Sequence, residues 1–237
     1  MQAFWHGAGA VGLYFVIAAS TAFLLRFLVR IPDEIFRKGL HFILLGSYIP
    51  FVFGFEAWWH AAIFAVAIMI ALYPIIGWFE RFRSFTRITT ERKKHEFKHS
   101  LLLAFSMLTV CMAICWGWQG DRHLVLACMY AWGVGDAFAA LIGKRFGKHK
   151  IRLPHADHHK SVEGSGAMFV TSALAVMGTL LWRGGLQPAG YVLIPLAGAA
   201  VTTVVELFTP DGMDTVTCPT AALFVVLPLT LLLGGAA

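Results

Sequence analysis

Eight apolar segments punctuate the chain, near residues 7–29, 39–55, 58–79, 100–118, 123–143, 165–182, 188–206 and 219–234. Most approach the ~20 residues that an α-helix needs to cross about 30 Å of hydrocarbon. The second and the last are short or interrupted by proline, at Pro50 and Pro228. The pattern predicts an all-α, polytopic integral membrane protein with about eight transmembrane helices, folded as a single transmembrane catalytic domain over residues 1–237. The first run follows no basic stretch of the kind that opens a cleaved signal peptide, and it is longer than such a peptide's apolar core, so it reads as a retained span. No internal repeat is evident.

Composition agrees. Of 237 residues, 58% are hydrophobic and 14% charged, against about 25% charged in an average soluble domain. The net charge of +6 matters less than its placement. Arg26, Arg30, Arg37 and Lys38 fall between the first two spans. Arg81, Arg83, Arg87, Arg92, Lys93, Lys94 and Lys98 separate the third and fourth. Lys144, Arg145, Lys148, Lys150, Arg152 and Lys160 separate the fifth and sixth. These are 17 of the 19 lysines and arginines, all but Arg122 and Arg183. The positive-inside rule then places these three loops in the cytoplasm and both termini outside, as in a bacterial-type inner or plasma membrane. A one-sided charge of this kind suits membrane topology and anionic ligands, and no nucleic-acid-binding module is visible. Trp58, Trp59, Trp116 and Trp118 read as an interfacial aromatic belt at the outer boundaries. The charged segment Arg81–Lys98 reads as an amphipathic helix on anionic headgroups. The four cysteines, Cys111, Cys115, Cys128 and Cys218, form no Cys-x-x-Cys pair and read as packing residues.

Four constellations carry candidate chemistry. In the first, Asp136, Ala139, Ala140, Gly143 and Gly147 share one helical face, and the small residues let a helix or a ligand approach closely. A carboxylate in an apolar span is costly and marks a functional candidate. In the second, Gly147-Lys148-His149-Lys150 leads to Lys160-Ser161-x-Glu163-Gly164-Ser165-Gly166 at the start of the sixth span. Amide groups at a helix N-terminus, with Lys148 and Lys160, suit phosphate oxygens, whereas Ser161 equally suits an ordinary helix cap. The third is Glu206-x-x-x-Pro210-Asp211-Gly212-x-Asp214, an acidic turn on the basic side of the protein. Its hard oxygen ligands suit Mg²⁺, although Asp211-Gly212 also fits a plain polar turn. The fourth, Arg37-Lys38-x-x-His41, brings three donors to the start of the second span; positive-inside anchoring accounts for the two bases but not for His41. The loop holding His155, Asp157, His158 and His159 could in principle bind zinc, but its tight spacing favours a solvated loop.

As an ordered set, these motifs resemble the CTP-dependent lipid-alcohol kinases: dolichol kinase, phytol kinase and the CTP-using diacylglycerol kinases. The likeness spans roughly residues 37 to 220. It implies CTP as phosphoryl donor, a lipid alcohol as acceptor and Mg²⁺ as cofactor. Carried onto this chain, it implies catalytic roles for Asp136, Lys160, Glu163 and Asp214. Nucleotide binding falls to Arg37, Lys38, His41, Gly143, Gly147, Lys148, Ser161, Gly164 and Ser165, and metal binding to Asp136, Glu206, Asp211 and Asp214. The chain departs from the family where His159 precedes Lys160 in place of a second lysine, where Thr215 follows Asp214 in place of asparagine, and in its His-rich loop. CDP-diacylglycerol synthase shares the Gly-Asp helix and the Gly-Lys-His-Lys run, but its ending is absent here, which favours phosphoryl over cytidylyl transfer. A transporter fits least, because the polar residues gather at loops and helix ends rather than at a midplane site. Neither the particular alcohol nor the oligomeric state follows from the sequence.

Overall fold

The computed structural model describes residues 2–81, 96–151, 160–210 and 212–234. Within them the chain forms helices α1 Gln2–Leu28, α2 Asp33–Phe53, α3 Trp58–Phe79, α4 Glu96–Cys111, α5 Arg122–Phe146, α6 Val162–Arg183, α7 Gly190–Phe208 and α8 Asp214–Leu233. A π-helical stretch, Met112–Trp118, continues α4. Seven segments are long and apolar enough to cross a membrane. The exception, α2, has ample length but opens with Asp33, Glu34, Arg37 and Lys38. A helix satisfies its own backbone hydrogen bonds, which is what a lipid environment demands. The protein is therefore an all-helical, polytopic membrane protein, as its hydrophobic pattern predicts.

Helix ends differ from the apolar windows because helices recruit polar residues as caps and first turns. Thus α2 begins at Asp33, which puts Arg37 and Lys38 on the helix, and α8 begins at Asp214, well before the apolar run at 219. The expected amphipathic segment lies largely outside the described residues, as do His155, Asp157, His158, His159 and Asp211.

The helices fall into two compact units, Met1–Ala113 and Ile114–Ala237. In the first, α1 pairs with α2: the Tyr14 hydroxyl donates to the Ile43 carbonyl at 2.8 Å, and it passes so close to Gly46 that a Cβ there would lie 2.2 Å from it. Arg26 is held by Asp33 at 2.6 Å and lies over the Phe36 ring at 4.9 Å. Between α3 and α4, Lys98 sits over Tyr73 at 4.5 Å and 4.0 Å from Glu80.

In the second unit α5 is the central helix, buried along most of its first half and packed against α6 and α8. Asp121 caps it by accepting from the His123 amide at 3.0 Å, and the other oxygen of Asp121 accepts from Arg183 Nε at the end of α6. Arg122 lies 4.3 Å over the ring of Trp116. The two cations that break the one-sided charge rule are thus each tied to a specific partner. Trp116 itself is only 8% exposed, so it is a packing residue under Arg122 and not part of an interfacial belt.

The α5–α6 seam is set by small residues. A Cβ on Gly135 would lie 2.2 Å from Ser172 Oγ and 2.9 Å from Met168 Cγ, and the Ser172 hydroxyl donates to the Ala131 carbonyl at 2.5 Å. Gly135→Ala should therefore lower thermal stability by the ~1–3 kcal/mol typical of overpacking, and Ser172→Ala in the same chain should recover part of it. A melting curve read by a thiol-reactive dye would report this, since all four cysteines are buried.

Candidate active site

The candidate residues of the second unit come from three helices and the loop before a fourth. Lys160 precedes α6, Glu206 lies in the last turns of α7, Asp214 is the first residue of α8, and Asp136 projects from α5. The chain reaches α8 through a tight turn in which Gly212 has φ of 90° and the Met213 amide bonds the Pro210 carbonyl at 3.1 Å. A positive φ of this kind is cheap only for glycine.

Lys160 and Glu206 are joined directly. The ammonium lies 2.8 Å from Glu206 Oε1 and also donates to the Glu206 main-chain carbonyl. Glu206 is buried, and a buried charge persists only when paired. Asp136 and Asp214 both interact electrostatically with Glu206. The same three carboxylates act on Cys218, one turn along α8 from Asp214. Asp136, Lys160, Glu206 and Asp214 therefore lie in one neighbourhood of the second unit, three carboxyl groups and one amine. Among the described residues, no three His, Cys, Asp or Glu side chains are close enough to hold a metal ion by themselves. The expected Mg²⁺ ligands Asp136, Glu206 and Asp214 thus form no metal-holding group among the described residues.

The loop before α6 is closed by a short antiparallel pairing. Ile151 N bonds Lys160 O at 3.0 Å, and Val162 N bonds His149 O at 2.9 Å. Glu163 locks the same turn: its Oε1 lies 2.7 Å from His149 Nδ1, and its carboxylate accepts from the His149 amide at 3.2 Å. This pairing puts the backbone of Lys160 at a defined height above α6.

Ser161 caps α6, its hydroxyl accepting from the Gly164 amide at 3.2 Å. The small face of α5 packs directly on this cap. A Cβ on Gly147 would lie 2.6 Å from Ser161 Oγ, and one on Gly164 would lie 3.0 Å from the Ala139 carbonyl and 3.2 Å from Gly143 Cα. Of the two partners that such a face could serve, helix or ligand, a helix is what Gly143, Gly147 and Gly164 meet here. The Ser165 amide bonds the Ser161 carbonyl at 2.9 Å as part of the helix. Lys148 and Lys150 remain exposed.

Arg37, Lys38 and His41 belong to the first unit. There Arg37 pairs with Glu34 at 2.6 Å, Lys38 is buried, and His41 lies edge-on to Phe42.

One neighbour of the cluster was not expected from the sequence. Trp132 Nε1 donates to Asp214 Oδ2 at 3.0 Å. The signal was available in the spacing, because Trp132 stands four residues before Asp136 and so shares its helical face.

Comparison with known proteins supports the same reading. The sequence profile of the cytidylyltransferase family matches residues 4–231. A phytol kinase from Synechocystis sp. is 28% identical over 236 aligned residues, covering 91% of this chain and 88% of the relative. No solved structure matches the chain. The protein thus belongs to the cytidylyltransferase family.

Proposed function

We propose that the protein transfers the γ-phosphoryl group of CTP to the hydroxyl of a membrane lipid alcohol at the cytoplasmic face, within a single catalytic domain. The observation that carries this reading is the cluster of Asp136, Lys160, Glu206 and Asp214, contributed by three helices and the loop before a fourth, all in one unit. Phosphoryl transfer needs positioning and charge neutralisation more than covalent chemistry, and this cluster offers both signs of charge. The relative's substrate favours an isoprenoid alcohol of the phytol type over the other candidates, a polyprenol or diacylglycerol.

In the reaction, the lipid oxygen bonds to the γ-phosphorus, the bond from that phosphorus to the bridging oxygen breaks, and CDP leaves. Asp136 and Asp214, with Glu206 and Asp211 as further candidates, would hold Mg²⁺, which neutralises charge on the nucleotide's phosphates when bound. Lys160 sits beside them as the fixed cation for phosphate oxygens, with Lys148 and the turn before α6 flanking it. Glu163, held against His149, or Asp214 would accept the hydroxyl proton. Nucleotide contacts from Arg37, Lys38 and His41, and from Gly143, Gly147, Ser161, Gly164 and Ser165, rest on motif resemblance. For the glycines and Ser161, the packing described above suggests that they shape the turn carrying Lys160.

The family's name favours one second reading, cytidylyl transfer to phosphatidate. Product analysis separates the two, since a kinase releases CDP and a cytidylyltransferase pyrophosphate.

Purified protein in detergent should convert CTP to CDP in the presence of Mg²⁺ and a long-chain isoprenoid alcohol, with γ-labelled phosphate appearing in the lipid. Asp136→Asn should abolish the transfer without lowering the melting temperature. Lys160→Ala should abolish it and also destabilise the fold, by leaving Glu206 buried and unpaired. Adding Glu206→Gln should restore stability but not turnover. Full activity in Asp136→Asn and in the double variant would refute the assignment. Glu163→Gln should lower kcat roughly 10²- to 10⁴-fold, the usual range for loss of a general base, with little change in the KM for CTP; an unchanged kcat removes Glu163 from the mechanism.

A further inference from the structure

A groove runs between α3 and α4 of the first unit, and the chemistry proposed above makes no use of it. Its wide end is a cavity of about 850 Å³ bordered by Tyr73, Gly77, Trp78, Glu80, Arg81 and Lys98. Its narrower arm, of about 500 Å³, lies between Val66, Met69 and Ile70 of α3 and Leu102, Phe105 and Thr109 of α4. Tyr73 borders both, so the two adjoin. We propose that this groove holds an anionic phospholipid of the surrounding membrane, with its phosphate at Lys98 and Arg81 and an acyl chain along the apolar arm.

The sequence builds the groove from two helical stripes. Positions 66, 69, 70, 73, 77 and 80 share a face of α3 and its end, and positions 98, 102, 105 and 109 share a face of α4. Charge stands at one end of both stripes, where Glu80 and Arg81 meet Lys98. The arm is apolar, and the one threonine named there is satisfied within its helix, Thr109 Oγ1 donating to the Phe105 carbonyl at 2.9 Å. From Val66 to Gly77 the helix advances about 16 Å, close to half of the roughly 30 Å hydrocarbon core. That is the depth one leaflet's acyl chain covers, and it identifies a ligand with a single polar end.

The charged end selects the headgroup. Lipid tails are as apolar as the arm itself, so an apolar groove alone discriminates little. The Lys98 side chain is 14% exposed and that of Glu80 2%. The ammonium lies 4.0 Å from Glu80 Oε2 and 4.5 Å over the Tyr73 ring. Among the described residues neither contact is a hydrogen bond at that distance, whereas an ammonium has three donors to satisfy. Gly77 leaves the ammonium room, since a Cβ there would stand 3.5 Å from Nζ. Phosphate oxygens accept strong, charge-assisted bonds from such a group. Arg81 is exposed beside it. Two cations outnumber one carboxylate, and the carboxylate is the most deeply buried of the three, so an incoming headgroup meets positive charge. Trp78 stands at the same end, where indoles mark the headgroup level of a bilayer.

The test is native mass spectrometry of the full chain released from detergent and titrated with single lipids. Wild type should bind dioleoylphosphatidylglycerol roughly 10-fold more tightly than dioleoylphosphatidylcholine. Arg81→Gln should weaken the anionic lipid roughly 5-fold and Lys98→Gln roughly 10-fold, with phosphatidylcholine unaffected in both. Because Lys98→Gln leaves Glu80 buried without its cation, the pair Lys98→Gln with Glu80→Gln keeps the test decisive if the single variant does not fold. Dihexanoylphosphatidylglycerol, with chains too short to run the groove, should bind much more weakly than the dioleoyl lipid, and inorganic phosphate should not displace the latter. Equal affinity for the two dioleoyl lipids overturns the proposal, as does unchanged affinity for the anionic one in the folded double variant. Competition by inorganic phosphate or by the short-chain lipid as effective as by the dioleoyl lipid overturns it too, by showing an anion site without a seated chain. No nucleotide enters the measurement, so its outcome is independent of the kinase reading.

Discussion

The Lys160–Glu206 ion pair is the constraint around which the second unit is arranged. A glutamate near the end of an apolar helix has to be balanced where it stands, since an isolated buried carboxylate costs far more than one helix contributes. The balancing ammonium comes from a residue outside the helices, immediately before α6. For it to reach Glu206, the start of α6 must be held at a fixed height. The pairing of residues 149–151 with 160–162, the Glu163–His149 contact and the Ser161 cap together hold it there. The cap in turn requires α5 to pass within contact of Ser161, which only Gly143 and Gly147 permit. Small residues, a cap and an ion pair are thus successive consequences of burying one carboxylate at a helix end.

That chain of dependence explains why the glycines of the Asp136–Gly147 segment are found beside charged chemistry: they let α6 approach α5 closely. Their contribution is steric. A Cβ at Gly147 or Gly164 would push the helix N-terminus away from α5 and carry Lys160 with it. A change of one methyl group at the seam would reach the chemistry as a displacement of a charge, and cores of this density do not absorb such changes locally.

The parts of this arrangement legible in the sequence are those that are energetically out of place. Asp136, Glu206 and Asp214 stand out because carboxylates in or beside apolar spans need a reason, and Lys160 because it sits where phosphate-binding amides are expected. Helix number was legible from run length, but helix starts were not. Hydropathy registers only the apolar part of α8 and misses that Asp214 and Thr215 open the helix. The small face of α5 was visible as a pattern, while its partner was not, because spacing cannot distinguish a facing helix from a facing ligand. Trp132 escaped notice because tryptophan in a membrane span reads as bulk or belt. Only the proximity of α8 reveals that its N–H has a carboxylate to meet, across 82 residues of sequence.

The charges of the second unit also bear on which chemistry fits. Lys144, Arg145, Lys148, Lys150 and Lys160 lie at the end of α5 or in the loop before α6, and Lys160 meets Glu206 there. A donor with three phosphates is drawn to the bases, and its counter-cation to the acids, so both arrive at the same boundary between loop and helix. A lipid alcohol presents its hydroxyl at that boundary while its chain stays in hydrocarbon. The proposed reaction thus requires little penetration of charge into the membrane. The acids lie at or within a few turns of helix ends, and the one placed furthest into a helix, Asp136, is on the helix whose Trp132 donates to Asp214.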